Sequence, residues 1–393
     1  MVASDLHGLS PINVLHGPKN VGSQASSLAR AENRVRELAG TPGRSWSVNF
    51  SPNAMVAPAD EDYPLRARAD EGILGKVAFA VGPLRYGLRR RRDFDVLHLY
   101  FGESLFSFSR RFSFFEMHDL PLWRSLGKRV FMTFQGCDLR MKGVSAEEEV
   151  SACRAGHCDV SSCTPDLDRR RRLMVEKVVA HCDKIFCLNS DLVRFVPGAE
   201  FLPYCNAERP GETLPVPRVS KAGERPVVIH APTNRSIKGT RFLEAASAAL
   251  QKTVPHELVM IEGVSRERAL EMYARADVAV DQVLVGWYGG FAVEAMRAGL
   301  PVISYINSRF LNAIPEKMAG EIPIARATPE TLADTLADLL THRETRASLG
   351  ERGRAYADRW HDPLRIAKRM LELYEEPRGS FWDGYHPEAP PVD

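Results

Sequence analysis

No stretch of this sequence stays apolar for the roughly 18 residues that a bilayer span needs. Residues 1–10 lack the basic-then-apolar order of a secretory signal, which sets a cytoplasmic expectation. Charge of one sign is also scarce. The chain has 52 basic and 50 acidic residues, a formal net charge of +2, so overall charge gives no reason to expect a nucleic acid partner. Neither half shows Gly-x-Gly-x-x-Gly after its first strand, which argues against a dinucleotide-dependent oxidoreductase. There is no short-period repeat. Cysteine is sparse at seven residues, and in a reducing compartment those thiols are expected to be free or metal-bound.

What is present is a soluble globular mixture, 44% hydrophobic and 26% charged, spread over 393 residues. That length exceeds one typical core and suits two domains. In the first half, residues 12–15, 95–100, 129–134 and 184–188 read as strands, with helices at 24–38 and 173–180. Residues 207–226 are rich in proline and charge and read as a linker. The alternation then restarts. Strands are expected at 227–230, 257–261, 278–280 and 301–305, and helices at 240–251, 266–276, 291–298, 329–342 and 363–375. Strands alternating with helices predict parallel α/β sheets covered on both faces. The expected domains are 1–206, with a cysteine-rich insertion at about 137–165, then 227–360, then a closing helix and tail at 361–393. The tail from Pro377 reads as an extended strap or disordered.

In such sheets ligands sit beyond the carboxyl ends of strands. The richest such loop runs from His230 to Thr240 and carries Asn234, Arg235, Lys238 and Gly239. Two cations at a helix start suit a diphosphate that gains charge as it leaves. A solvated basic helix start is the alternative. The second loop runs from Asp281 to a helix beginning near Gly290. Gly289 and Gly290 allow close backbone approach there, and Glu294 lies about one turn inside the helix. A carboxylate there can accept from two ribose hydroxyls, or simply complement the helix dipole.

The run Glu294-Ala-Met-Arg-Ala-Gly299-Leu-Pro301-Val resembles the retaining, family-4 type of GT-B glycosyltransferases. The likeness is strongest from His230 to Tyr305. It implies two Rossmann-like domains facing across a cleft, with the closing helix crossing back to the first domain. It implies transfer of a sugar from a nucleotide diphosphate sugar to a hydroxyl acceptor, with retention and without a required cofactor or metal. UDP is the first candidate nucleotide, with GDP or ADP as alternatives. Arg235 and Lys238 would stabilise the leaving diphosphate. Gly22, Asn234, Gly239, Gly289, Gly290, Phe291 and Glu294 would contact the donor, and Gln135 and Asp138 would serve the chemistry and present the acceptor. The expected role is surface polysaccharide or glycoconjugate synthesis. Glycosylation of a small natural product and a non-catalytic nucleotide-sugar or glycan-binding protein are the alternatives.

The sequence departs from that pattern in three places. Gly286 stands where the family's first glutamate contacts the donor sugar. Asp281 or the Gly289 and Gly290 amides are candidate replacements. Arg235 is three residues before Lys238, where the family's arginine is commonly five before. Gln135 replaces the family's active-site histidine and cannot act as an acid or base. Separately, Cys137, Cys153, Cys158 and Cys163 could hold a structural zinc, although the spacing is wider than a Cys-x2-Cys knuckle and free thiols are the alternative. Asp93-Phe-Asp95 precedes a strand and reads as a loop. The basic runs 89–92 and 169–172, with the aromatic stretch 106–115, raise peripheral contact with the inner membrane face, against the commoner reading of surface arginines and buried phenylalanines.

Overall fold

The computed structural model describes residues 9–50, 59–63, 73–106, 117–161, 163–206, 213–215 and 224–387. Most of the expected linker at 207–226 and of the aromatic stretch 106–115 lies outside them.

The described strands form two parallel sheets. The first contains β1 (Val14–Gly17), β2 (Ser45–Asn49), β3 (Glu61–Asp62), β4 (Val96–Tyr100), β5 (Arg129–Phe134), β6 (Lys184–Cys187) and β7 (Glu200–Phe201), in the order β3-β2-β1-β4-β5-β6-β7. The second contains β8 (Val227–His230), β9 (Glu257–Met260), β10 (Val278–Val280), β11 (Val302–Ser304) and β12 (Ile324–Arg326), in the order β12-β11-β10-β8-β9. Central parallel strands are covered on both faces, which is why β1, β4 and β10 are buried at every position.

The expectation missed β2, whose sequence SWSVN is half polar yet wholly buried. Its polar side is satisfied locally. Asn33 Oδ1 accepts from the Ser45 amide at 2.8 Å, Ser47 Oγ donates to Asp60 at 2.8 Å, and Asn49 Nδ2 donates to Asp62 at 3.1 Å.

By contacts the chain divides into two units. The first comprises 1–141, 165–207 and 362–393, and the second 142–164 and 208–361. The cysteine-rich insertion therefore packs with the second unit, not with the first, where its place in the chain had put it.

The closing helix, Pro363–Glu375, begins as its sequence requires. Pro363 occupies the first turn and Asp362 caps it, accepting from the Leu364 and Arg365 amides at 2.8 and 3.2 Å. It packs in the first unit against the helix Gln24–Ala39 and buries Ile366, Ala367, Met370, Leu371, Leu373 and Tyr374. Tyr374 also enters a buried polar network. Its hydroxyl donates to Glu32 Oε1 at 3.0 Å and lies 2.7 Å from His98 Nδ1. His16, paired in register with His98 across β1 and β4, reaches Glu32 at 3.0 Å and the Tyr100 hydroxyl at 2.9 Å. Burial, then the neighbouring His16, lowers the pKa of His98 well below its ordinary value.

The tail, expected to be extended or disordered, is a short 3-10 turn at Phe381–Gly384 as far as it is described. Phe381 is buried, Trp382 stacks on Phe201, and Glu200 accepts from Ser380 Oγ and the Phe381 amide at 2.7 Å each. Among the described residues no helix is long and apolar enough to cross a membrane. Arg90 pairs with Glu61, Arg169 and Arg170 pair with Asp166, and Arg171 is buried against the Arg140 carbonyl.

Candidate active site

In the second unit, β8 ends at His230 and the chain turns through a one-turn helix, Arg235–Lys238. Asn234 caps that turn by accepting from the Ile237 amide at 2.9 Å. Gly239, in the left-handed region at φ 80°, joins it to the helix Thr240–Leu250. His230 fixes the junction from below. Its Nδ1 lies 2.7 Å from the Val280 carbonyl, so Nδ1 carries the proton, and Nε2 accepts from Thr240 Oγ1 at 2.8 Å.

Burial lowers the His230 pKa to about 4 from an ordinary 6.5. The unfolded chain therefore takes up a proton that the folded chain refuses between those values. This stability is fully present above pH 6.5 and is lost as pH falls toward 4, by on the order of 3 kcal/mol. Thermal unfolding at neutral pH and at about pH 4.5 should show a smaller acid-induced drop for His230→Gln than for wild type. Equal drops would refute this assignment.

The chemical centre of this half is Asp281, immediately after β10 and fully buried. Lys238 Nζ lies 2.5 Å from its Oδ1, and the Gly289 amide donates to its Oδ2 at 2.6 Å. A Cβ on Gly289 would stand 3.2 Å from Lys238 Nζ, so the glycine admits the ammonium to the start of the helix Gly290–Ala298. A cation and the positive end of a nine-residue helix thus converge on one point. Glu294, one turn inside, is held by Arg266 at 2.5 Å and by the Tyr273 hydroxyl at 3.0 Å, and Phe291 meets the Tyr273 ring edge-on.

Arg235 is placed differently from Lys238. Its guanidinium grips Glu262 through two nitrogens at 3.0 and 2.6 Å and reaches Glu244 at 3.0 Å, all at the surface. Hydrogen bonding to Arg235 holds Glu262 below the ordinary carboxylate range.

Gly286 takes a left-handed conformation, φ 81°, and its carbonyl accepts from the Asn307 amide at 3.0 Å. The loop is anchored by Trp287 and Tyr288, both fully buried. The Tyr288 hydroxyl lies 2.9 Å from both Tyr356 Oη and His361 Nε2. This anchor is missing from the sequence reading, since two aromatics between glycines show no periodicity.

In the first unit, Asp138 closes the turn after β5. It accepts from the Gln135 and Gly136 amides at 3.0 and 2.5 Å, and burial raises its pKa. The Gln135 side chain is only 9% exposed, and neither its oxygen nor its nitrogen has a hydrogen-bond partner among the described residues. Buried amides are rarely left so, and one that is suits a ligand with hydroxyls. Gly22, at φ 58°, precedes the first long helix, and its carbonyl accepts from Gln24 Nε2 at 3.2 Å.

The four cysteines considered for a structural zinc divide between the two units. Cys137 belongs to the first unit, whereas Cys153, Cys158 and Cys163 belong to the second. Among the described residues no three His, Cys, Asp or Glu side chains are grouped to hold a metal, and none of the seven cysteines is in a disulfide.

Two Rossmann-like parallel sheets in one chain, with the last helix returned to the first, define the GT-B class of fold. Residues 228–356, within the second unit, match the family described as Glycosyl transferases group 1. Similar solved structures include a sucrose-phosphate synthase from Thermosynechococcus elongatus, with 13% identity, 94% of this chain and 99% of that one covered, and a TM-score of 0.58. WaaG, a glycosyltransferase involved in lipopolysaccharide biosynthesis, matches at 14% identity, 93% and 100% coverage and a TM-score of 0.57. Anabaena HepE in complex with UDP-glucose matches at 11% identity, 93% and 99% coverage and 0.56. At these identities the likeness is one of fold. No curated protein matches the chain in sequence.

Proposed function

We propose that this chain transfers a sugar from a nucleotide diphosphate sugar to a hydroxyl acceptor, with retention at the anomeric carbon and no required metal. One observation carries the reading: Lys238 and the Gly289 amide meet on Asp281 at the start of a helix, beyond the carboxyl ends of β8 and β10. A departing diphosphate gains negative charge, and a preorganised ammonium beside the positive end of a helix stabilises the transition state more than the ground state. Asp281 keeps the ammonium in place between turnovers. Glu294 takes the ribose hydroxyls, and the neutral Gln135 amide pairs with a hydroxyl of the acceptor. Gln135 cannot take a proton, so the leaving phosphate accepts the acceptor's proton. HepE is solved with UDP-glucose, which makes UDP the first nucleotide to test.

Thermal shift against UDP, GDP, ADP and dTDP tests the reading. A nucleotide at 100 times its Kd stabilises the fold by about 2.7 kcal/mol. One nucleotide should shift the wild type and lose its effect in Lys238→Ala. No shift with any of the four sinks the proposal, and binding without turnover on any donor favours a binding-only protein.

A further inference from the structure

Residues 142–164 brace three loops at one end of the second sheet. Asp159 accepts from Ser236 Oγ at 2.6 Å, within the turn that carries Lys238. The Ala152 amide donates to the Leu284 carbonyl at 2.9 Å, and Ala152 joins Val283 and Leu284 in the second unit's core. Glu148, only 7% exposed, accepts from Asn307 Nδ2 at 3.3 Å and from Arg309 Nη1 at 3.1 Å. A carboxylate is buried only at a cost unless it is paired, so Glu148 is held there by these partners.

Asn307 stands over Gly286. A Cβ at Gly286 would lie 3.2 Å from Asn307 Cβ and 3.6 Å from the Tyr305 and Phe310 rings. The left-handed backbone there disfavours any other residue, so the loop itself presents no functional group at that point. Three peptide units separate Gly286 from Gly289, a reach of at most about 11 Å, the scale of a hexose attached to a phosphate held at Lys238. The Asn307 amide is oriented from both ends, because its Oδ1 accepts from the Arg309 amide at 3.0 Å while its Nδ2 gives one hydrogen to Glu148. One Nδ2 hydrogen and an Oδ1 lone pair are left to meet hydroxyls. The Tyr305 phenol beside it is a hydrogen-bond donor, and burial, then Glu148 and Glu149, moves its pKa up from the ordinary value.

We propose that the insertion is a working part of the donor half, and that Glu148 is a positioning residue for recognition of the transferred sugar, acting through Asn307. The proposal rests on the nucleotide-sugar reading above. Binding is measured by calorimetry for the nucleotide that shifts the wild type and for its glucose conjugate, UDP and UDP-glucose in the first instance. Glu148→Ala and Asn307→Ala should each weaken the glucose conjugate about tenfold, the scale of one lost hydrogen bond, and leave the free nucleotide within about twofold. The double variant should bind no more weakly than Asn307→Ala, because the two residues act as one unit. Glu148→Gln, which keeps an acceptor for Asn307, should recover most of the loss. Equal weakening of both ligands makes the insertion a structural brace and overturns the proposal, as do unchanged binding or additive losses. Wild-type protein that binds neither ligand overturns the nucleotide-sugar reading itself, and the inference with it.

Discussion

Lys238→Ala is expected to lower turnover about 100- to 1000-fold, the range seen when one preorganised donor to a developing anion is removed. The same change should lower the melting temperature, for a separate reason. Asp281 is fully buried, and loss of the ammonium leaves its charge with the hydrogen bond from the Gly289 amide. Breaking such a pair costs about 3–5 kcal/mol. The two effects separate in the double variant Lys238→Met with Asp281→Asn. Its neutral amide oxygen still accepts from Gly289, so stability should return while activity stays low. Arg235→Ala is the control. That guanidinium is committed to Glu262 and Glu244 at the surface, and its loss should cost less than about tenfold. Full activity in Lys238→Ala would move the anion site elsewhere. A larger loss in Arg235→Ala than in Lys238→Ala would mean that Arg235 leaves its glutamates when the donor arrives.

The largest effect on folding is expected from ending the chain at His361. The removed helix buries Ile366, Met370, Leu371, Leu373 and Tyr374 in the first unit, and the tail adds Phe381 and Tyr385. Each such side chain contributes about 1.5–3 kcal/mol on burial. Together they match or exceed the 5–15 kcal/mol that typically separates folded from unfolded domains. Truncation also takes the Tyr374 hydroxyl from Glu32 and His98 inside the core. The first unit should lose its hydrogen-exchange protection in β1, β4 and β5. Native-like protection of those strands in the shortened chain would contradict this. The milder Tyr374→Phe removes only the hydroxyl and should cost about 1–3 kcal/mol.

The strands that could be read from sequence are those whose burial on both faces demands apolar runs, such as Val96–Tyr100 and Arg129–Phe134. The closing helix was readable to its ends because Asp362 and Pro363 mark its start. β2 was hidden because its buried serines and asparagine are satisfied by Asn33, Asp60 and Asp62, partners that no periodicity announces. The site followed the same division. Lys238, Gly289 and Glu294 sit in or beside short segments that start helices after strands, a pattern local in sequence. The commitment of Arg235 to Glu262, 27 residues away, is tertiary and invisible in the chain. So is the pairing of Asp281 with Lys238, 43 residues before it, and with the Gly289 amide. The insertion was misplaced because neighbours in sequence were taken as neighbours in space. Ala152 and Val150 join it to the second core, too weak a signal to read in advance.

That the insertion and the closing helix each pack with the unit they are not adjacent to has a consequence for how the protein is made. On the ribosome, the first 141 residues emerge well before residues 362–385, which complete their core. Residues 142–164 likewise wait for Ser236, Leu284 and Asn307 to be synthesised before they have anything to pack on. The second unit has all its residues once His361 is made, whereas the first still waits for residues 362–385 to close its core.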